Sequence, residues 1–112
     1  MTLFKIRREV MQALDEYSKQ AFHDRLFAIM RDRHADACAV LGLERARDDV
    51  DRGIEKAIGY AIVDEDDIER FVHMLFERGF DFDVQIEWAK KILQNKKLSG
   101  SAKVSFLAEL GI

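Results

Sequence analysis

The sequence contains no proline and a single cysteine in 112 residues. Without proline, no ring clash or missing N–H interrupts a helix interior. Collagen-like chains, proline-rich linkers and polyproline ligands are thereby excluded. The lone Cys38 excludes an internal disulfide and reads as a small buried apolar side chain. No apolar run approaches the roughly 20 residues that cross a bilayer. The first eight residues, Met1-Thr-Leu-Phe-Lys-Ile-Arg-Arg8, lack the apolar core of a signal peptide. The expectation is a cytoplasmic protein with no membrane partner.

What is present is balanced. Hydrophobic residues make up 48% and charged residues 35%, too apolar for a disordered chain. The length fits one domain, residues 1–112, able to bury roughly two-thirds of its unfolded surface. Net charge is −3 but unevenly spread. Residues 1–35 carry seven basic and five acidic side chains, residues 36–87 six and fifteen, and residues 88–112 five and one. An acidic middle repels phosphate backbones, so nucleic acid is not expected as a partner. An acidic face does attract basic proteins.

Apolar residues recur at helical spacing almost throughout, and strict alternation is absent. The pattern predicts an all-α single-domain antiparallel bundle of five to six helices. Residues 1–7 read as an extended arm in which Leu3, Phe4 and Ile6 pack down. A long first helix follows over 8–33, with Val10, Ala13, Leu14, Tyr17 and Ala21 as one stripe. Its second half, Phe22 to Met30, is apolar around most of its circumference, as in a central or partner-facing helix. A short helix over 35–41 ends at Gly42. The next, about 44–61, has Val50, Ile54, Ala57, Ile58 and Ala61 as its buried stripe, with Gly53 admitting a neighbouring helix. Gly59 has no such rationale.

Asp64 is a suitable N-cap for the fourth helix, and the carboxylates after it favour the positive end of the helix dipole. Ile68, Phe71, Val72, Leu75 and Phe76 follow at amphipathic spacing up to Gly79. Residues 80–83 read as a loop with Asp83 capping a helix over 85–95, where Ile86, Trp88, Ala89, Ile92 and Leu93 form the apolar face. Gly100 reads as a stop. Ser101 reads as the cap of a last short helix with Val104, Leu107 and Ala108 on one side.

Catalysis needs a constellation of groups, and none is evident. Cys38 lacks the surroundings of a nucleophile. His23 and His34 lie three turns apart, too far for one metal ion. His73 and Glu77 are an i, i+4 surface pair. The run Asp64–Asp67 lacks the spacing of a calcium loop. No phosphate-binding glycine loop and no basic recognition helix is present. Lys90, Lys91, Lys96, Lys97 and Lys103 form the one basic cluster, which reads equally as a solvated C-terminal face or as a contact for phosphate or an acidic partner. The chain is therefore expected to be no enzyme and to need no cofactor or metal.

Two stretches, Leu41-Gly42 and Gly53-Ile-Glu-Lys-Ala-Ile-Gly-Tyr60-Ala-Ile62, are followed by Glu65-Asp-Asp-Ile-Glu-Arg-Phe-Val72, Gly79-Phe-Asp-Phe-Asp83 and Trp88-Ala89. In that order they resemble a family of small helical bacterial proteins encoded beside spike, adaptor and toxin genes of type VI secretion clusters. The similarity spans about residues 8–95. Members of that family often carry prolines near the first helix and before the tryptophan, where this chain has Arg8 and Glu87.

The resemblance implies a protein-binding module associated with a secreted antibacterial effector or spike component, acting as accessory chaperone, adaptor or immunity protein. Candidate contacts are the acidic Asp64, Glu65, Asp66, Glu69, Asp81 and Asp83, with Phe27, Met30 and Met74 as exposed apolar anchors. Against a basic nuclease the acidic middle would imitate substrate charge. Self-association is left open. The alternative is a small regulatory or ligand-binding helical domain with a pocket lined by Tyr60, Phe76 or Trp88. An enzyme would require His23 or His73 beside Asp81 or Asp83.

Overall fold

The computed structural model describes the backbone from Thr2 to Ile112 and the side chains from Ser18 to Ile112. Within these residues the chain is all-α, with no strand. Its helices are α1 (Thr2–Arg33), α2 (Ala35–Leu41), α3 (Leu43–Gly59), α4 (Glu65–Arg78), α5 (Phe82–Gln85), α6 (Glu87–Gln94) and α7 (Gly100–Glu109). The expected five to six become seven because residues 82–85, spanning the end of the expected 80–83 loop and the start of the expected 85–95 helix, close a helical turn of their own. No membrane-spanning helix is present among the described residues.

The arm expected over residues 1–7 is a correction: α1 is already helical from Thr2. Nothing between Thr2 and Arg33 is proline or glycine, so no backbone feature stops the helix from running back to the start. The packing expected for Leu3, Phe4, Ile6, Val10, Ala13, Leu14 and Tyr17 lies outside the described side chains. Farther along, Phe22, Leu26 and Met30 recur every fourth residue and are buried, with Phe27 and Ile29 packed at the edge.

Helix α1 packs on α2 and α3, and α3 packs most extensively on α4. That second contact is close because of Gly53. A Cβ there would stand 2.9 Å from Leu75 Cδ1 and 3.2 Å from Val72 Cγ2. The buried face of α3 runs through Ala46, Val50, Gly53, Ile54 and Ala57. Its centre lies at Gly53, which turns Ile58 outward, 48% exposed instead of buried. The apolar pattern of α4 holds, with Ile68, Phe71, Val72 and Leu75 all in the core.

Helix α3 stops two residues earlier than the apolar pattern suggests. Ala61 N–H donates to the Ile58 carbonyl and Ile62 N–H to the Ala57 carbonyl, both at 2.9 Å. This is a Schellman closure, in which the residue after the cap is left-handed. That residue is Ala61, with φ 64°, a conformation usually taken by glycine. Ala61 is consequently exposed, and Ile62 enters the core in its place.

The other glycine boundaries divide. Gly42 (φ 87°) and Gly79 (φ 110°) do end α2 and α4. Gly100 instead begins α7, against the α3–α4 turn. A Cβ on it would lie 2.5 Å from the Ala61 carbonyl oxygen and 2.8 Å from Ile62 Cα, so only glycine fits. Ser99, not Ser101, caps α7 by accepting from Ala102 N–H at 3.1 Å. Helix α6 rests on α7, and α7 on α4, through Ala89, Leu93, Val104 and Leu107. Trp88 and Ala108, expected on the inner faces, are exposed, because the buried positions of each helix fall on a narrower stripe.

Candidate functional site

The nine residues expected to contact a partner fall into three groups. Asp64, Glu65, Asp66 and Asp81 lie on the surface, and Glu69 is half-buried. Asp64 has a structural duty as well, its carboxylate accepting from Asp66 N–H at 3.0 Å to cap α4. Glu65 pairs with Arg25 of α1 at 2.8 Å. With both side chains about 60% exposed, such a pair contributes at most about 1 kcal/mol.

Met30 and Met74 are not exposed anchors: both are buried in the core, at 0% and 6% exposure. Helices α1 and α4 each turn a wider apolar face inward than their main stripe suggests. Phe27 is half-buried beneath two guanidinium groups, Arg31 at 5.6 Å and Arg47 at 5.4 Å from its ring centroid. Such cation–π contacts cover an aromatic face without removing it from water entirely.

Asp83 is the third case. It caps no helix and reaches no surface, at 2% exposure. Lys56 Nζ donates to Asp83 Oδ1 at 2.9 Å, and the Tyr60 hydroxyl donates to Oδ2 at 2.6 Å. Lys56 also donates to the Phe80 carbonyl. A buried carboxylate needs this degree of compensation, because desolvation alone would expel the charge. Burial, followed by the bond to Asp83, holds the Tyr60 phenol well above its usual range. One turn apart at the C-terminal end of α3, where Tyr60 is the cap residue, Lys56 and Tyr60 therefore clamp α5 through one acid.

The same corner receives α7. Lys103, 4% exposed, donates through Nζ to the Tyr60 carbonyl at 2.7 Å. The Ser101 hydroxyl donates to Asp67 Oδ2. Lys103 is thus buried and apart from any exposed basic cluster, and Asp67 is more than a dipole partner.

The histidines are also committed. His23 Nδ1 contacts Asp51 Oδ1 at 2.7 Å, and His34 Nε2 contacts His73 Nδ1 at 2.8 Å. Their described partners are therefore neither Asp81 nor Asp83. Among the described residues, no group of three or more His, Cys, Asp and Glu is placed to hold a metal. Cys38 is buried, its Sγ 3.7 Å from the Met30 carbonyl, and burial pushes its thiol above the usual range.

Tyr60, Phe76 and Trp88, the three aromatic candidates for a ligand pocket, have separate surroundings. Tyr60 meets Asp83 and Phe71, and Phe76 stacks on His34 and touches Phe80 edge-on. Trp88 is 38% exposed.

One apolar surface surrounds Gly42, where α2 meets α3. Val40 is 87% exposed, Leu41 38% and Leu43 56%, so three large apolar residues surround Gly42 in the open. Helix α2 is only seven residues long and buries Cys38 alone. Beside it, Ala37, Val40 and Leu41 of α2 face Leu75 and Phe76 of α4 and Phe80 across an open groove of about 400 Å3. Asp36 stands at its rim. The available signal was the length of α2, since two turns cannot cover both of their own apolar sides.

Comparison of the chain with protein-family models, with curated proteins and with solved structures finds no match.

Proposed function

We propose that the helices form an antiparallel bundle serving as a protein-binding module, which escorts or occludes a secreted antibacterial effector of a type VI system in the bacterial cytoplasm. The reading rests on the residue pattern from Leu41 to Ala89 and on one structural observation, the exposed Val40-Leu41-Gly42-Leu43 strip beside its apolar groove. An open cluster of large apolar side chains is the surface a partner covers. The acidic side chains Asp64, Asp66 and Asp81 offer a separate contact for a basic effector. Chaperone, adaptor and immunity roles share this requirement for a bound protein and need no catalytic group.

The experiment is co-purification with the effector encoded by the adjacent gene. Stable capture is expected, and Val40→Asp with Leu43→Asp should abolish it while leaving the thermal midpoint unchanged. Failure to capture, together with failure to protect cells expressing that effector, would overturn the reading.

A further inference from the structure

Two of the three histidines meet across the fold. His34 occupies the one-residue break between α1 and α2, and His73 lies in the middle of α4. Their facing nitrogens, His34 Nε2 and His73 Nδ1, are 2.8 Å apart, and the ring planes cross at 54°. Phe76 stacks on the His34 ring at 5.5 Å between centroids and 17° between planes, which restrains its rotation.

The far nitrogen of His73, Nε2, faces the Glu69 carboxylate at 3.8 Å, beyond hydrogen-bond reach. The negative charge on that side favours a proton on Nε2, which leaves the Nδ1 lone pair directed at His34. The charged groups around His73 are Glu69 and Glu77 of its own helix and Arg33 from the end of α1. Burial, followed by the neighbouring His34, holds His73 below the usual histidine range. The neutral imidazole is the form that ligates.

We infer that His34 and His73 form a two-histidine site for a borderline divalent metal ion such as Zn2+, Ni2+ or Cu2+, with water completing the coordination. Imidazole nitrogen suits these ions, whereas Mg2+ and Ca2+ take oxygen ligands. Zn–N bonds of about 2.0–2.1 Å at a tetrahedral angle place two ligating nitrogens about 3.3 Å apart. The pair must open by about half an ångström to admit the ion. The partly exposed His34 ring can supply that movement by sliding in its own plane over Phe76, with its backbone held by the bonds to Met30 and Cys38. Among the described residues no third His, Cys, Asp or Glu joins the pair. The site is thus open to exchange, unlike a closed four-ligand zinc centre. The ion replaces the proton shared between the rings and ties the α1–α2 junction to α4. It stabilises the folded chain by mass action, because only the fold brings the two rings together.

The test uses the full chain purified without a polyhistidine tag. In a Zn2+ titration followed by NMR of the histidine rings, the His34 and His73 signals should shift while those of His23, held by Asp51, stay in place. Millimolar Zn2+ or Ni2+ should raise the thermal midpoint by a few degrees at about pH 7.5. The gain should vanish in His73→Gln, persist in His23→Gln, and not appear with Mg2+. Where His73→Gln does not fold, the ring signals of the unaltered chain decide. Unmoved His34 and His73 rings at millimolar Zn2+, equal movement of all three histidines, or an undiminished gain in His73→Gln would overturn the site and leave a hydrogen-bonded pair.

Discussion

At its C-terminal end, helix α3 is tied into the molecule by Lys56 and Tyr60, which grip the buried Asp83, and by the Tyr60 carbonyl, which accepts from Lys103. At its N-terminal end it meets Gly42 and a two-turn helix that buries one residue, Cys38. The first end carries buried charges with every partner in place. The second carries apolar side chains in water. The contrast shows that polarity alone does not report role in this chain: the acid Asp83 is structural, and the apolar Val40 is a surface group. Cross-linked corners are costly to disturb, whereas open apolar strips tolerate change and are available for contact.

The largest expected effect breaks the tied end. Asp83→Ala strands the Lys56 ammonium and the Tyr60 hydroxyl, and should cost about 3–5 kcal/mol in chemical denaturation. Asp81→Ala, removing an exposed carboxylate 3.8 Å from the same lysine, should stay within about 1 kcal/mol. Equal costs for the two acids would erase the distinction between them.

Next comes Gly100→Ala. Its new Cβ would meet backbone atoms of Ala61 and Ile62, which cannot rotate away as a side chain can. A loss of about 1–3 kcal/mol is expected, read as a fall in the denaturation midpoint. At the same turn Ala61→Gly should act in the opposite sense. It relieves the left-handed strain at φ 64° and, after the entropy cost of glycine, should add about 0.5–1 kcal/mol. A lower midpoint for Ala61→Gly would show that the turn is held by something other than its backbone closure.

A pH series probes the α1–α4 contact. His73 is held below its ordinary value of 6.5 by burial and then by His34. The unfolded chain therefore takes up a proton before the folded one does. The resulting stability is complete above about pH 6.5 and is lost as pH falls through the folded value. The urea midpoint should drop between about pH 7 and pH 5.5, and His73→Gln should flatten that drop. An unchanged midpoint in the parent chain would show that the pair carries no such linkage. The smallest effect belongs to the open end. Val40→Ser, at a position 87% exposed, should leave stability within about 0.5 kcal/mol, measured by the same denaturation.

Much of the fold is legible in local pattern, because helix formation follows spacing and caps. The run from Asp64 to Gly79 shows this best: its cap, its buried stripe and its glycine stop all appear where periodicity puts them. Gly53 is similarly legible, a gap on an otherwise apolar face that a neighbouring helix enters. The candidate site was less accessible. Phe27, Met30 and Met74 fall off the main stripes, which predicts exposure for side chains that are in fact buried or half-buried. The width of a buried face depends on how many helices press on it, which no single helix reveals. The local pattern makes Ser101 a cap and Gly100 a stop, yet both answer to residues far along the chain, Asp67 of α4 for the serine and Ala61 with Ile62 of the α3–α4 turn for the glycine.

By itself the sequence determined that this chain is helical, where most helices lie, and that no internal disulfide can form. The helices depend on neighbours a few residues apart, and the disulfide on the cysteine count alone. Only the tertiary structure decided that Asp83 is buried against Lys56 and Tyr60, that His34 meets His73, and that Val40, Leu41 and Leu43 remain in the open. The Asp83 and histidine contacts join residues 23 to 39 positions apart, and the exposure depends on which helix faces are left uncovered. Spacing along one helix cannot report either.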